Sequence, residues 1–368
     1  MTTALEIPAG PQELTPDWLT RALKQCGAGG GASVMSFDAK IIGEGAGFMG
    51  QLARATMEYD AEEPAAPASL IAKFPSNIPE NRHVGNAFHF YEREHRFYEH
   101  IAGEVELRTP RCFYRAMDVE ADRYVMLLED LAPAVIGDQL TGCTLKAAEL
   151  AIASLARFHS TWMESPQLST FDWMPAINVP WQIEAVLDSY VQVWPQFLER
   201  FGDMLSPQMV ALGETIGEKA GNIMDQLAMP PRTIIHGDFR LDNLLFGTEQ
   251  GEPTLAVIDW QIASRGRGVF DIAYFLGGGI SSDLRRANEM RLLNEYHRII
   301  TANDHVDYNF GECLRDYRKS LLFCLVYPVI GGGSVDMANK RGMALWRAWL
   351  ERNVAAIEDL EAAELLHA

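Results

Sequence analysis

Asp238 and Asn243 stand in the octet "HGDFRLDN" (residues 236–243) at a D-x-x-x-x-N spacing. That spacing suits a magnesium-dependent phosphoryl transfer. One carboxylate orients an attacking hydroxyl and accepts its proton, and an oxygen donor a few residues on binds the cation. A further carboxylate must reach the metal that bridges the phosphates. Asp259, in "LAVIDWQ", ends an apolar strand where burial would make an unpartnered aspartate costly, and Mg²⁺ is its natural partner. The octet also crowds His236, Arg240 and Asp242 between the apolar runs "RTII" and "LLF". Taken singly, each acid could as well cap a turn; the case rests on the set and its order.

Three further elements precede the octet in the order that the chemistry needs. "GAGFMG" places Gly45, Gly47 and Gly50 in a GxGxxG pattern, which dinucleotide-binding folds and kinases share. In a dinucleotide fold the glycines open a helix, whereas here "QLARATMEY" continues as a strand, so the loop fits a cover over nucleotide phosphates. It is no Walker A loop, because Gln51 and Leu52 replace the required Lys and Ser or Thr. Lys73, in "LIAKFP", supplies a strand cation for the α- and β-phosphates, and a helix carboxylate must hold it in place. Of Glu92 and Glu94, Glu94 is preferred, since the spacing Glu94, Phe97, Tyr98 puts aromatics on an adjoining face.

The elements that must position these groups are legible along the chain. The 368 residues carry a formal charge of −19, with 31 Lys and Arg against 50 Asp and Glu. Such acidity argues against nucleic acid or an anionic membrane as partner, so a polyanionic ligand needs a local basic site. The five cysteines, Cys26, Cys112, Cys143, Cys313 and Cys324, form no CxxC pair. They fit a reducing compartment, and a cytoplasmic location is expected, with no signal-like segment and no apolar run of membrane-spanning length.

"TPDWLTRALKQCG" reads as a capped helix stopped by Gly27, followed by strands in "SVMSFDAKII", "QLARATMEY" and "SLIAKFP". Residues 86–102 read as one amphipathic helix, and "RTPRCFYRAM" and "DRYVMLLEDL" as two more strands. Beyond Leu131 helical patterns dominate, interrupted by apolar runs at 244–246 and 254–258. An α+β fold follows: a small N-terminal sheet lobe with one main helix (1–130) and a larger, mostly helical C-terminal lobe (131–368).

"IIHGDFRLDNLLF" with "VIDWQ" resembles the aminoglycoside phosphotransferase and choline kinase-like superfamily, which has the protein-kinase-like fold, from about residue 40 to residue 275. His-Gly-Asp and Asp-Trp stand where protein kinases have His-Arg-Asp and Asp-Phe-Gly. "HGDFRLDN" is similar to kinase domains fused to acyl-CoA dehydrogenases, and "GEGAGFMG" and "EHRFYEHI" to the ecdysteroid kinase-like branch. The resemblance implies ATP and Mg²⁺ as cofactors. It makes Asp238 the base, with His236 and Arg240 beside it, Asn243 and Asp259 the metal ligands, and Lys73 with Glu94 the phosphate-positioning pair. It also implies that Glu129 and Leu131, in "LLEDL", form a hinge that holds adenine through its backbone, that Asp271 is a structural aspartate, and that "SLARFH" (Leu155, Phe158, His159) is a packing helix.

Only residues 260–270 separate Asp259 from Asp271, which leaves no room for an activation segment, so a protein substrate is not expected. Arg240, Arg265 and Arg267 either neutralise carboxylate or phosphate charge on a substrate or pair with Asp242 and other acids of the chain itself. The candidate substrate helices, 180–203 and 310–330, carry Trp181, Tyr190, Trp194, Phe197, Phe310, Tyr317, Phe323 and Tyr327. Such stripes are commonly core; those that line a cleft would favour an apolar or hydroxy-acid-type small alcohol over an aminoglycoside or choline. A catalytically silent nucleotide-binding protein is the competing expectation, set against the presence of every required residue.

Overall fold

The structure, a computed structural model, describes residues 5–43, 49–302 and 306–366. The chain forms two compact units: Met1–Glu104 with Arg108–Pro133 and Ile258–Ile262, and Val105–Leu107 with Ala134–Val257 and Ala263–Ala368.

The first unit begins with α1 (Pro16–Gln25), where the Thr15 hydroxyl accepts the Trp18 N–H at 3.1 Å and Pro16 occupies the first turn. Five strands follow: β1 (Val34–Ile42), β2 (Gly50–Tyr59), β3 (Ser69–Pro75), β4 (Cys112–Asp118) and β5 (Arg123–Glu129). They form one antiparallel sheet in the order β1-β2-β3-β5-β4. Alternation along β3 divides the labour of this sheet. Leu70, Ala72 and Phe74 join Trp18, Leu19 and Leu23 of α1 in one buried cluster, so Lys73, between Ala72 and Phe74, points to the other face.

Helices α2 (Pro79–Ala87) and α3 (Phe90–His100) lie between β3 and β4 in the chain. The single helix expected over 86–102 is therefore interrupted. His89 adopts φ 56, in the left-handed region. The break lets the Tyr91 ring lie against Gly85, where a β-carbon would meet the ring at 2.6 Å, while the Tyr91 hydroxyl accepts the Ser76 N–H at 3.2 Å. An uninterrupted helix would carry Tyr91 away from both.

The second unit is mostly helical: α4 (Leu145–Trp162), α5 (Pro180–Phe201), α6 (Pro207–Leu227), α7 (Val269–Gly279), α8 (Ser282–Ile300), α9 (Phe310–Cys324), α10 (Val326–Ser334) and α11 (Lys340–Asp359). Its strands are short: β6 (Val135–Ile136), β8 (Leu244–Glu249) and β9 (Glu252–Val257) form one sheet, and β7 (Thr233–Ile235) pairs with β10 (Ser264–Gly266). The apolar runs at 244–246 and 254–258 thus become a hairpin. The helical run through residue 330 breaks at Leu325 into α9 and α10, where Pro328 has no N–H for the residue 324 carbonyl. Every residue of α7 is buried, so this helix runs through the core of the unit. No helix among the described residues is long and apolar enough to cross a membrane.

Candidate active site

In the first unit, β3 and α3 bring three ionisable groups together. Lys73 Nζ lies 2.6 Å from Glu94 Oε2 and 2.8 Å from Asp259 Oδ1. Glu92, the alternative, instead faces His89 and Arg96 at 3.9 and 3.6 Å. Burial works against the Lys73 ammonium, but the carboxylates of Asp259 and Glu94 outweigh it and raise its pKa above the usual lysine range. Burial also pushes the Glu94 carboxyl up, against the pull of Lys73. Asp259 is reached by a turn at φ 66, a left-handed conformation uncommon outside glycine. That turn lays the Trp260 ring flat on Phe97, with centroids 4.0 Å apart and planes 7° from parallel. Helix α3 thereby grips Lys73 through Glu94 and the Asp259 turn through Phe97.

In the second unit, the octet spans the connection from β7 to β8. Asp271, at the start of α7, accepts the His236 N–H at 2.7 Å and the Gly237 N–H at 2.9 Å. Gly237 turns at φ 84, which only glycine adopts without strain. His159 of α4 lies 3.3 Å from the same carboxylate and 3.0 Å from the Tyr296 hydroxyl. The far half of the loop is held by a different segment. Gln139 Oε1 accepts the Leu241 N–H at 3.0 Å, and the Gln139 N–H donates to Asp242 Oδ1 at 3.1 Å.

Within this brace the Asp238 carboxylate is hydrogen-bonded at both oxygens. Tyr274 Oη donates to Oδ1 at 2.6 Å, and Arg240 Nε and Asn243 Nδ2 donate to Oδ2 at 3.2 and 2.9 Å. Asn243 Nδ2 also donates to the Asp238 carbonyl at 2.9 Å, which engages its amide hydrogens on Asp238. Arg240 also reaches Asp242 at 3.1 Å. His236 is fully buried, and its Nδ1 accepts the Asp238 N–H at 3.2 Å.

Asn243 and Asp259 offer hard oxygen donors, the chemistry that Mg²⁺ prefers. No cluster of three or more His, Cys, Asp or Glu among the described residues could hold a metal by itself. A cation held by either residue would take most of its coordination from phosphate oxygens and water, as Mg²⁺ does at nucleotide sites.

Of the remaining expected residues, Gly45 and Gly47 lie outside the described residues. Gly50 opens β2, and a β-carbon there would stand 3.2 Å from the Phe74 carbonyl and 3.6 Å from Lys73 Cε. Glu129 ends β5, binds Arg108 at 2.6 Å and the Arg111 N–H at 2.9 Å, and donates its own N–H to the Arg111 carbonyl at 2.8 Å. Leu131 follows, half-buried. Arg265 is spent on the Leu168 carbonyl at 2.8 Å, and Arg267 on Asp316 at 3.1 Å and the Tyr308 ring, so both brace the second unit itself. Tyr190, Phe197, Tyr317 and Phe323 are core residues, whereas Trp181 is 37% exposed.

Two contributors, Tyr274 and Gln139, went unmarked in the sequence, and a third, Phe97, was marked without its partner. Tyr274 follows Asp271 by one helical turn, a spacing that places both on one face and could have disclosed it. Phe97 was expected on the face adjoining Glu94, but its stacking on Trp260 was not. Gln139 lies about a hundred positions before the loop it braces, and no local pattern signals it.

A profile of the ecdysteroid kinase-like family matches residues 44–306. The chain is 34% identical over 100 residues to an uncharacterized kinase-like protein of Caenorhabditis elegans, covering 27% of this chain and 26% of that one. It is 52% identical over 42 residues to acyl-CoA dehydrogenase family member 10 of Mus musculus, covering 11% of this chain and 4% of that one. The chain thus spans only a minor part of the length of these curated relatives. Among solved structures, a candidate aminoglycoside phosphotransferase of Ralstonia eutropha superposes with a TM-score of 0.52 at 15% identity, covering 94% of this chain and 98% of that one. This likeness shows the kinase-like fold.

Proposed function

The chain belongs to the ecdysteroid kinase-like family, and from that premise and the geometry above we propose that it transfers the γ-phosphoryl group of Mg²⁺-ATP to a hydroxyl of a small molecule. The observation that carries the reading is Asp238. Its carboxylate is fixed at both oxygens within a loop whose backbone is itself held, and Asn243, five residues on, is tied to it through the amide nitrogen. A base that must meet a hydroxyl in one geometry needs this preorganisation.

In this reading Lys73, held by Glu94, binds the α- and β-phosphates, and Gly50 keeps the chain low beside it. Asn243 and Asp259 would each offer an oxygen to Mg²⁺, which when bound would neutralise charge developing on the phosphoryl oxygens. Asp238 accepts the alcohol proton. His236 keeps the base's backbone in place, and Arg240 steadies the Asp238 and Asp242 carboxylates. Because the Glu129 N–H is already given to Arg111, the adenine contacts fall to the backbone at Leu131.

The acceptor we favour is an apolar or hydroxy-acid-type alcohol in a cytoplasmic setting, with aminoglycoside and choline kinases as the alternative. The test is incubation with Mg²⁺-ATP and a panel of hydroxy acids, apolar alcohols, choline, ethanolamine and kanamycin, read as ADP release and as phosphorylated product by mass spectrometry. Product from the first two classes supports the reading. Product from kanamycin alone refutes the acceptor class, and Mg²⁺-ATP binding without product from any alcohol favours a silent binder.

A further inference from the structure

Tyr274 has a geometry that its neighbours on α7 do not require for packing alone. Its hydroxyl donates to Asp238 Oδ1 at 2.6 Å, the short distance of a hydrogen bond to a charged acceptor. The ring is locked from two sides: Tyr327 meets it edge-on at 4.7 Å and 86°, and Trp349 at 5.1 Å and 88°. A hydroxyl on a ring held this way has one place to be. Burial first, and the Asp238 carboxylate after it, raise the tyrosine pKa well above its ordinary range, so it remains a donor throughout the working range of a kinase.

Tyr274 also follows Asp271 by three positions on α7. Asp271 holds the loop backbone through the His236 and Gly237 N–H groups, and Tyr274 holds the side chain of the base. One turn of a fully buried helix therefore sets both where the loop runs and how the Asp238 carboxylate is rotated within it. Oδ2 is already shared by Arg240 and Asn243, and these ties come from the loop itself. The tie at Oδ1 comes from the core of the unit.

We propose that Tyr274 is a positioning residue for phosphoryl transfer: its hydroxyl fixes the rotation of the Asp238 carboxylate so that the base meets the acceptor hydroxyl without reorganising. This rests on the reading of Asp238 as the base. The residue touches neither nucleotide nor acceptor; it acts through Asp238.

The test compares wild type, Tyr274→Phe, Asp238→Asn and the double variant, using Mg²⁺-ATP and the panel alcohol that gives product with wild type. Phenylalanine keeps the packed ring, so the fold should survive, and thermal unfolding checks that it does. Tyr190→Phe is the control. It removes another buried hydroxyl of the same unit, one that donates to the Gly213 carbonyl at 2.9 Å, and should leave kcat within about twofold.

For Tyr274→Phe the expected result is a kcat lower by about 10- to 100-fold, the range for losing a hydrogen bond to a charged group. KM for Mg²⁺-ATP should stay within about threefold of wild type, as expected when an interaction serves the transition state rather than binding. In the Asp238→Asn background the same change should cost nothing further, because the group it positions is gone. A Tyr274→Phe enzyme with wild-type kcat overturns the inference, and so does an equal loss in both backgrounds, which would make the residue merely structural. A wild-type protein that phosphorylates no panel alcohol overturns the reading of Asp238 as base, and the role of Tyr274 falls with it.

Discussion

Helices α3 and α7 each organise one of the two residue sets with a pair of side chains three positions apart, yet they do it by different forces. On α3, Glu94 binds the Lys73 ammonium and Phe97 stacks on Trp260. The ionic half of that arrangement has three charges dependent on one another, two carboxylates sharing one buried cation. On α7, Asp271 takes two backbone N–H groups and Tyr274 gives a hydroxyl to the base. There the helix is buried at every residue, and position is set by packing and hydrogen bonds. The difference follows from the task proposed for each. A group that grips phosphate must keep its charge available and be placed by other charges, whereas a base must be aimed, and aiming is done best by a rigid core.

The largest expected effect tests the aimed set. Asp238→Ala should lower kcat by about 10² to 10⁴ while Mg²⁺-ATP binding by calorimetry stays near wild type. Retained turnover would remove the second unit's claim to the base.

Next comes the charged set. Lys73→Met leaves Glu94 and Asp259 facing each other without their cation, and breaking a buried pair in this way should cost about 3–5 kcal/mol in chemical unfolding and abolish tight nucleotide binding. An unchanged unfolding midpoint would show that the three charges are not interdependent.

A smaller effect probes the outer brace of the loop. A β-carbon on Gly137 would stand 2.7 Å from the Leu241 carbonyl, so Gly137→Ala should cost about 1–3 kcal/mol as overpacking and lower kcat with it. Full activity would mean that the segment around Gln139 does not set the loop.

The smallest effect at neutral pH belongs to His95, on α3. It is 3% exposed, and burial, aided by the nearby Arg115 and Lys73 cations, lowers its pKa to about 3. The unfolded chain therefore binds the proton more readily, and the neutral ring's contribution, complete above about pH 6.5, is lost as pH falls toward 3. His95→Phe, close in volume, should shift stability at pH 7 by less than about 1.5 kcal/mol and flatten that acid-side loss. An unchanged pH profile would place the acid sensitivity of α3 elsewhere.

Sequence alone determined a good deal of this protein. The strand β2 followed from period-two patterning, β3 from a short apolar run ended by Pro75, and α1 from Thr15 and Pro16, while Lys73, Glu94, Asp238, Asn243 and Asp259 stood out as candidates by residue type, order and spacing. These are local facts, or short-range ones, and local facts survive in a linear reading. Tertiary structure decided the rest. The break at His89 exists because Tyr91 must reach both Gly85 and Ser76, and the stripe of Tyr190, Phe197 and Tyr317 went to the core. Gln139 and Tyr274 acquired their roles because packing brought them against a loop distant in the chain. Periodicity reports which face of an element is apolar. It cannot report which partner that face will meet, since partners are chosen by packing among elements far apart in sequence.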